Sequence, residues 1–305
     1  MRRAPLGDGR RRGRGGQAVA IRRLALATIL FGVIAAPAQA RMLGLTGTRS
    51  TYRALSPLAP TVHAQFVAFG TDWAPLLDGD HALAAIPLIT WEPWHASLRS
   101  IAAGGEDAYL TRIAREVAAY PHVVYIRFAH EMNGGWYPWG SQPHDYVAAW
   151  RHVWTIFRNA GASNARFLWA PDLIAGLPRA RWRREVAEYW PGGRYVNDIG
   201  TSLVAFAFQG DWPLSYRFAS IDWLARRYRK PFWLAEVKVD AAQRYTWLAQ
   251  LAGELRSRSW IVAVMWSQTP SKAQQKGEAT GDMDWSLLSD PLARRLLAGA
   301  VGSGA

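Results

Sequence analysis

The sequence predicts an α/β protein folded as a single (β/α)8 TIM barrel, and three observations carry that prediction. Short apolar segments alternate with helical patterns through residues 41–300, as parallel βα units do. Eight such segments are present, the number that closes a barrel, and the stretch they occupy suits the roughly 250 residues such a barrel takes. After Ala40 no Pro-, Gly- or Ser-rich linker interrupts the alternation, and no solenoid repeat is found.

The strands are expected at 42–47, 63–69, 85–91, 123–129, 166–170, 198–205, 232–236 and 261–267, each a short apolar run. The clearest helix is 107–119, where Leu110, Ile113, Ala114 and Val117 recur at spacings of three and four. Others are expected at 143–159, 216–228, 241–256 and 291–298, while the pattern after the first, second and fifth strands is weak. In a barrel of this kind reactive groups gather at the carboxyl ends of the strands.

Five of the eight strand ends carry unusual residues. Strand four runs into Arg-Phe-Ala-His-Glu-Met-Asn-Gly-Gly-Trp-Tyr-Pro-Trp-Gly (127–140), which places Glu131 just past the strand; strand seven, Pro-Phe-Trp-Leu-Ala-Glu (231–236), closes on Glu236. Strand three ends in Thr-Trp-Glu-Pro-Trp (90–94), strand five in Trp-Ala-Pro-Asp (169–172) and strand eight in Met-Trp-Ser-Gln (265–268). Two glutamates on one rim, among aromatic rings and hydrogen-bond donors, are what acid-assisted cleavage of a glycosidic bond requires. Seventeen tryptophans exceed what a core is expected to need, since each buried indole N–H must find a partner, and a groove that stacks sugar rings accounts for the surplus. His130-Glu131 does not make a zinc motif, because position 134 is Gly where a second His is needed. No calcium-loop spacing occurs either, so neither metal nor other cofactor is expected.

Residues 1–40 read as a secretory signal: basic 2–23, apolar 24–36, and Ala38-Gln-Ala40 as small residues for cleavage near Ala40. The apolar run is too short to span a bilayer, so no stable membrane insertion of the mature chain is expected. The segment holds eight Arg and one Asp, so the formal charge falls from +13 to +6 without it. What remains has no basic run interleaved with aromatics, which argues against nucleic-acid binding. The absence of cysteine excludes disulfides and thiolate chemistry. A secreted or periplasmic monomer acting on a polysaccharide is expected.

At these residues the chain resembles glycoside hydrolase family 26, best known for β-mannanases. The matching pieces are Pro-Leu-Ile-Thr-Trp-Glu-Pro (87–93), residues 127–140, Ala-Trp-Arg-His-Val-Trp (149–154) and Phe-Leu-Trp-Ala-Pro (167–171). Tyr-Trp-Pro-Gly-Gly (189–193) with Tyr195-Val196, residues 230–236 and Asp284-Trp-Ser follow in family order. The resemblance implies a retaining barrel glycosidase in which Glu131 is the acid/base and Glu236 the nucleophile. It also implies that Arg127 holds the carboxylates in place, that His130 and Trp136 contact sugar near the cleavage point, and that Trp266 is the platform beneath the bound ring. Related mannanases carry an Asp-Gly-Tyr type sequence at strand six, whose tyrosine supports the nucleophile; residues 200–208 here hold no tyrosine. After the nucleophile stand Val237-Lys238, and Lys238 is expected to share a strand face with Glu236.

Trp91 and Asp172, at the ends of strands three and five, are further expected substrate contacts, with packing of Trp91 as the alternative. Glu92 is read as a structural carboxylate, Asp284 as shaping the last loop, and Trp150, Trp154, Trp223 and Trp247 as outer core. The expected activity is endo-acting, retaining hydrolysis of β-1,4-mannan or a related β-linked polysaccharide. The alternatives are hydrolysis of a β-glucan or a bacterial exopolysaccharide, and a weakly catalytic barrel that only binds polymer.

Overall fold

The computed structural model describes residues 41–173, 177–205, 213–268, 271–275, 278–283 and 285–302. The expected signal segment, Asp284 and positions 206–208 of the tyrosine-free segment lie outside the described residues.

Eight parallel strands close in sequence order into one barrel: β1 Met42–Thr46, β2 Val62–Ala68, β3 Ile86–Glu92, β4 Val124–Phe128, β5 Ala165–Trp169, β6 Asp198–Ala205, β7 Phe232–Val239 and β8 Ile261–Trp266. Closure is made by β1 pairing with both neighbours, Gly44 lying opposite Val62 on β2 and Met265 on β8. Glycine lets the Met265 side chain lie against the strand, since a Cβ at Gly44 would sit 2.1 Å from its sulfur and force that side chain to move.

Alternation along the strands separates two cores. Val62, Ala64, Leu88, Leu168, Trp233, Ala235, Ala263 and Met265 form the inner one. Tyr125 on β4 meets Trp233 on β7 with ring centroids 4.4 Å apart, which fills the barrel from opposite walls. The intervening residues, among them Ile89, Trp91, Ile126, Phe128, Leu234, Val264 and Trp266, pack outward against the helices.

The helices are α1 Arg49–Ala54, α2 Ala74–His81, α3 Leu98–Ala102, α4 Asp107–Ala119, α5 Pro143–Asn159, α6 Arg179–Glu188, α7 Leu214–Tyr228, α8 Arg244–Arg256 and α9 Pro291–Val301. Helix α4 buries Leu110, Ile113, Ala114 and Val117, and ends at Tyr120, whose extended ψ of 130° follows from the proline after it. The three helices with weak patterns do form. Helix α1 buries only Tyr52 and α6 only Trp182 and Val186, too few apolar positions to mark a helical period. An antiparallel ribbon after β8, β9 Ser271–Gln275 with β10 Glu278–Met283, was not expected from the sequence pattern. No helix among the described residues is long and apolar enough to cross a membrane.

Candidate active site

Strand β4 delivers its reactive groups through a change of backbone conformation. Tyr125 and Arg127 alternate inward with Val124, Ile126 and Phe128 outward. Beyond Phe128, Ala129 (φ 44°) and Glu131 (φ 54°) take left-handed conformations, which cost non-glycine residues of order 1–3 kcal/mol each. The neighbouring strand ends hold them there. Ala129 N–H donates to Trp91 O and Glu131 N–H to Ala170 O, each at 2.9 Å.

Strand β7 reaches the site through a bulge. Thr201 pairs with Leu234, but the next residue of β6, Ser202, pairs with Glu236, leaving Ala235 as the additional residue. Trp233 and Ala235 face the inner core before the irregularity, and Val237 and Val239 pack outward after it. The bulge resets the alternation so that Glu236 and Lys238 share the inward face.

The two glutamates meet across the mouth of the barrel. One ring nitrogen of His130 and one carboxylate oxygen each of Glu131 and Glu236 lie within 4.8 Å of one another, and both carboxylates are buried. Arg127 Nη1 donates to Glu236 Oε2 at 3.0 Å, Nη2 donates to Ser202 Oγ at 2.7 Å, and Nη2 lies 3.9 Å from Glu131 Oε1. Lys238 Nζ is 2.6 Å from Glu236 Oε1, as the shared strand face anticipates. The indole N–H of Trp136 donates to Glu131 Oε2 at 2.9 Å. A divalent cation would meet Arg127 and Lys238 already engaged on the two oxygens of Glu236, a field that repels it.

These surroundings push two identical side chains in opposite directions. Burial raises the Glu131 pKa above the ordinary carboxylate value and the Glu236 charge adds to this; Arg127, Ser202 and Trp136 oppose it only in part. Burial acts on Glu236 too, but Lys238 and then Arg127 outweigh it and hold its pKa down at about 2. One group is therefore pushed toward its acid form and the other toward its anion.

His130 is fully buried, and burial, reinforced by Arg127, holds its pKa well below the usual imidazole value, so it is neutral. Its Nε2 lies 3.2 Å from the Tyr137 hydroxyl. Around the carboxylates Phe66, Trp94 and Trp136 keep 39%, 41% and 51% of their surface exposed, an aromatic rim open to a ligand. Phe66 packs edge-on against His130, and Trp94 against Trp139 and Tyr137. Glu92 accepts the Trp94 indole N–H at 3.1 Å, and burial raises its pKa, with the charges of Arg127, Glu236 and Glu131 all felt there.

Two expected sugar contacts are corrected. Trp91 has no exposed surface; it faces the helices, packs against Phe69 and Trp73, and gives its N–H to the Tyr109 hydroxyl. Trp266 likewise lies in the outer core, fully buried, with its N–H on Trp285 O at 2.9 Å. Both occupy outward positions of their strands, where no ring can be presented to the cleft. The tryptophan surplus goes mainly into packing, because partners are available: Trp139, Trp150, Trp169 and Trp182 each donate to a backbone carbonyl. Asp172 stands at the end of β5, its backbone fixed by Asn133 and Trp182, within electrostatic reach of Arg217.

Sequence reasoning missed Ser202, Phe66 and Tyr137. Phe66 was within reach, since it continues the inward series Val62, Ala64 of β2. Ser202 left no sequence signal, because its partnership with Arg127 follows from the register of β6 on β7.

No family model matches the chain. Among curated proteins, endoglucanase H of Acetivibrio thermocellus is 27% identical over 260 residues, covering 79% of this chain and 27% of that protein. A β-1,3-xylanase from a Vibrio species is 27% identical over 206 residues, covering 67% of this chain and 39% of that protein. The chain thus spans well under half the length of these curated relatives. Among solved structures, a modular endo-β-1,4-mannanase of glycoside hydrolase family 26 from Cellulomonas fimi matches with a TM-score of 0.61 at 17% identity, over 85% of this chain and 71% of that one. The chain shares its barrel fold with that mannanase. The motif residues Arg127, Glu131, Trp136 and Glu236 stand together at the mouth of this barrel.

Proposed function

We propose that this protein is a retaining, endo-acting glycoside hydrolase of a β-linked polysaccharide, exported by way of residues 1–40. The observation that carries the reading is that an oxygen of Glu131 and an oxygen of Glu236 lie within 4.8 Å of one another, with one carboxyl favoured as acid and the other as anion. Retaining glycosidases hold their carboxyl groups about 5–5.5 Å apart, whereas inverting ones leave about 6.5–9.5 Å for a water between them. Oxygens this close favour the shorter arrangement, and with it direct attack by Glu236.

In the first step a Glu236 oxygen bonds to the anomeric carbon as the glycosidic C–O bond breaks, and the departing oxygen takes the proton of Glu131. Water then attacks the anomeric carbon, returns a proton to Glu131, and releases Glu236 as carboxylate. Arg127 and Lys238 keep the nucleophile ionised, and Trp136 aims the acid while offering an exposed ring to the sugar beyond the cleaved bond. Neutral His130 and the half-buried Glu92 are placed to accept or donate hydrogen bonds to hydroxyls.

β-1,4-Mannan is one substrate to which this reading extends, as the β-mannanases of the same fold suggest. The match to an endoglucanase over most of the chain favours β-glucan as the second. Incubation with mannan, mixed-linkage β-glucan and a panel of other β-linked polysaccharides, followed by product analysis, is the test. Oligosaccharides whose newly released ends keep the β-configuration are expected. Release of no reducing sugar from any polymer, with binding unchanged in Glu236→Gln, favours a barrel that only binds.

A further inference from the structure

Glu236 is held by two cations that differ in what else they can reach. Arg127 has no exposed surface, is tied to Ser202, and stands 3.0 Å from Glu236 and 3.9 Å from Glu131. Lys238 reaches Glu236 Oε1 at 2.6 Å from the same strand and keeps 14% of its side chain exposed. The difference bears on the covalent cycle proposed above, on which this inference rests. When Glu236 bonds to the anomeric carbon it loses its charge, while Glu131, having given its proton to the departing oxygen, gains one. Arg127 lies between the two and serves whichever is ionised. Lys238 pairs with Glu236, so ester formation leaves its ammonium group against a neutral ester in a largely buried place.

A cation beside a carboxylate also acts oppositely in the two half-reactions. It lowers the basicity of the oxygen that must attack, which slows ester formation; it stabilises the same oxygen when it departs with the bonding electrons, which speeds ester breakdown. We propose that Lys238 drives the second half-reaction, destabilising the glycosyl-enzyme ester and stabilising the carboxylate that leaves it. Water attacks the anomeric carbon, its proton passes to Glu131, the C–O bond to Glu236 breaks, and the electron pair returns to Glu236, where Lys238 regains its counter-ion. The bulge at Ala235 makes this possible by turning the side that Glu236 and Lys238 share toward the barrel mouth.

The test uses dinitrophenyl β-cellobioside and dinitrophenyl β-mannobioside, whose leaving group departs without help from an acid, so that breakdown of the ester limits turnover. For Lys238→Met the expected result is a burst of dinitrophenol followed by a steady rate lower by about tenfold or more, with KM falling in parallel and kcat/KM maintained. Quenched protein should carry the mass of one disaccharide. Lys238→Arg should recover most of the turnover, and Lys238→Gln, which keeps a hydrogen bond without the charge, reads the same quantity if the Met variant fails to fold. The acid limb of kcat/KM should rise in both uncharged variants, while Arg127, Glu131, His130, Glu92 and Ser202, the other groups around Glu236, stay in place. A fall in kcat/KM at constant KM with no accumulating adduct would overturn the proposal. Wild-type protein that releases dinitrophenol from neither compound, nor from the dinitrophenyl glycoside of any disaccharide found among its polysaccharide products, and that releases no reducing sugar from the polymers, would instead overturn the hydrolase reading beneath it.

Discussion

The wall of the cleft that carries Glu131 and the wall that carries Glu236 are built from different materials. On the first, the ends of β2, β3 and β4 supply Phe66, Trp94 and Trp136, and the carboxyl group of Glu131 has only neutral donors, the Trp136 indole and the Ser202 hydroxyl, with its nearest cation at 3.9 Å. On the second, β6 and β7 supply Ser202 and Lys238, and with Arg127 they put a cation within 3.0 Å of each oxygen of Glu236. Both carboxyls are buried, so burial does not distinguish them. What separates their pKa values is the number and nearness of the positive charges, and a single Arg127 serves both walls.

The largest effect expected from breaking this asymmetry is at Glu236→Gln, which removes the proposed nucleophile and should lower kcat/KM on polysaccharide by at least about 1,000-fold while leaving polymer binding intact, as affinity gel electrophoresis will show. Glu131→Gln sharpens the contrast. It should cost a comparable factor on polysaccharide but far less on a dinitrophenyl glycoside, whose leaving group needs no proton, so the ratio of the two losses measures acid assistance.

Arg127→Met removes the cation that the walls share. Activity should survive at a reduced level, and the acid limb of kcat/KM should climb from about 2 by roughly one to three units, since Glu236 loses a partner that favours its charged form. On the proposed mechanism Glu236 is protonated and inactive below that limb, and Glu131 has lost its proton above the basic limb. Thermal unfolding should report a cost of about 3–5 kcal/mol for leaving buried charge without its partner.

The smallest expected change is at Trp136→Phe. It deletes a hydrogen bond that favours the Glu131 anion, so the basic limb should move up, by about one unit or less. Trp91→Phe is the counterpart on the outer face of the same barrel, expected to cost about 1–3 kcal/mol of stability with kcat/KM unchanged. A loss of activity at Trp91 matching that at Trp136 would mean that the division between packing and cleft tryptophans is wrong.

All eight strands and the helices 107–119 and 143–159 were legible because each is a local pattern of apolar residues with few competing readings. The position of Glu131 and Glu236 on one rim was legible for the same reason, since both close apolar runs and parallel strands align their ends. Trp91 and Trp266 were misread because presence at a strand end says nothing of which face a side chain takes. That is set by the inward–outward alternation, and the alternation needs a reference that only the closed barrel provides. The excess of tryptophan pointed to a groove because the carbonyls and hydroxyls that satisfy buried indoles belong to segments distant in sequence.

The sequence by itself determined the alternation of strand and helix, the closure number and the two acidic residues at strand ends, all of which follow from hydrophobic periods a few residues long. The tertiary structure alone decided which wall keeps its carboxyl protonated. That outcome depends on a bulge that turns Lys238 inward, on a register that sets Ser202 beside Arg127, and on distances of a few ångströms between residues more than seventy positions apart, where Coulomb energy varies steeply and sequence spacing carries no information.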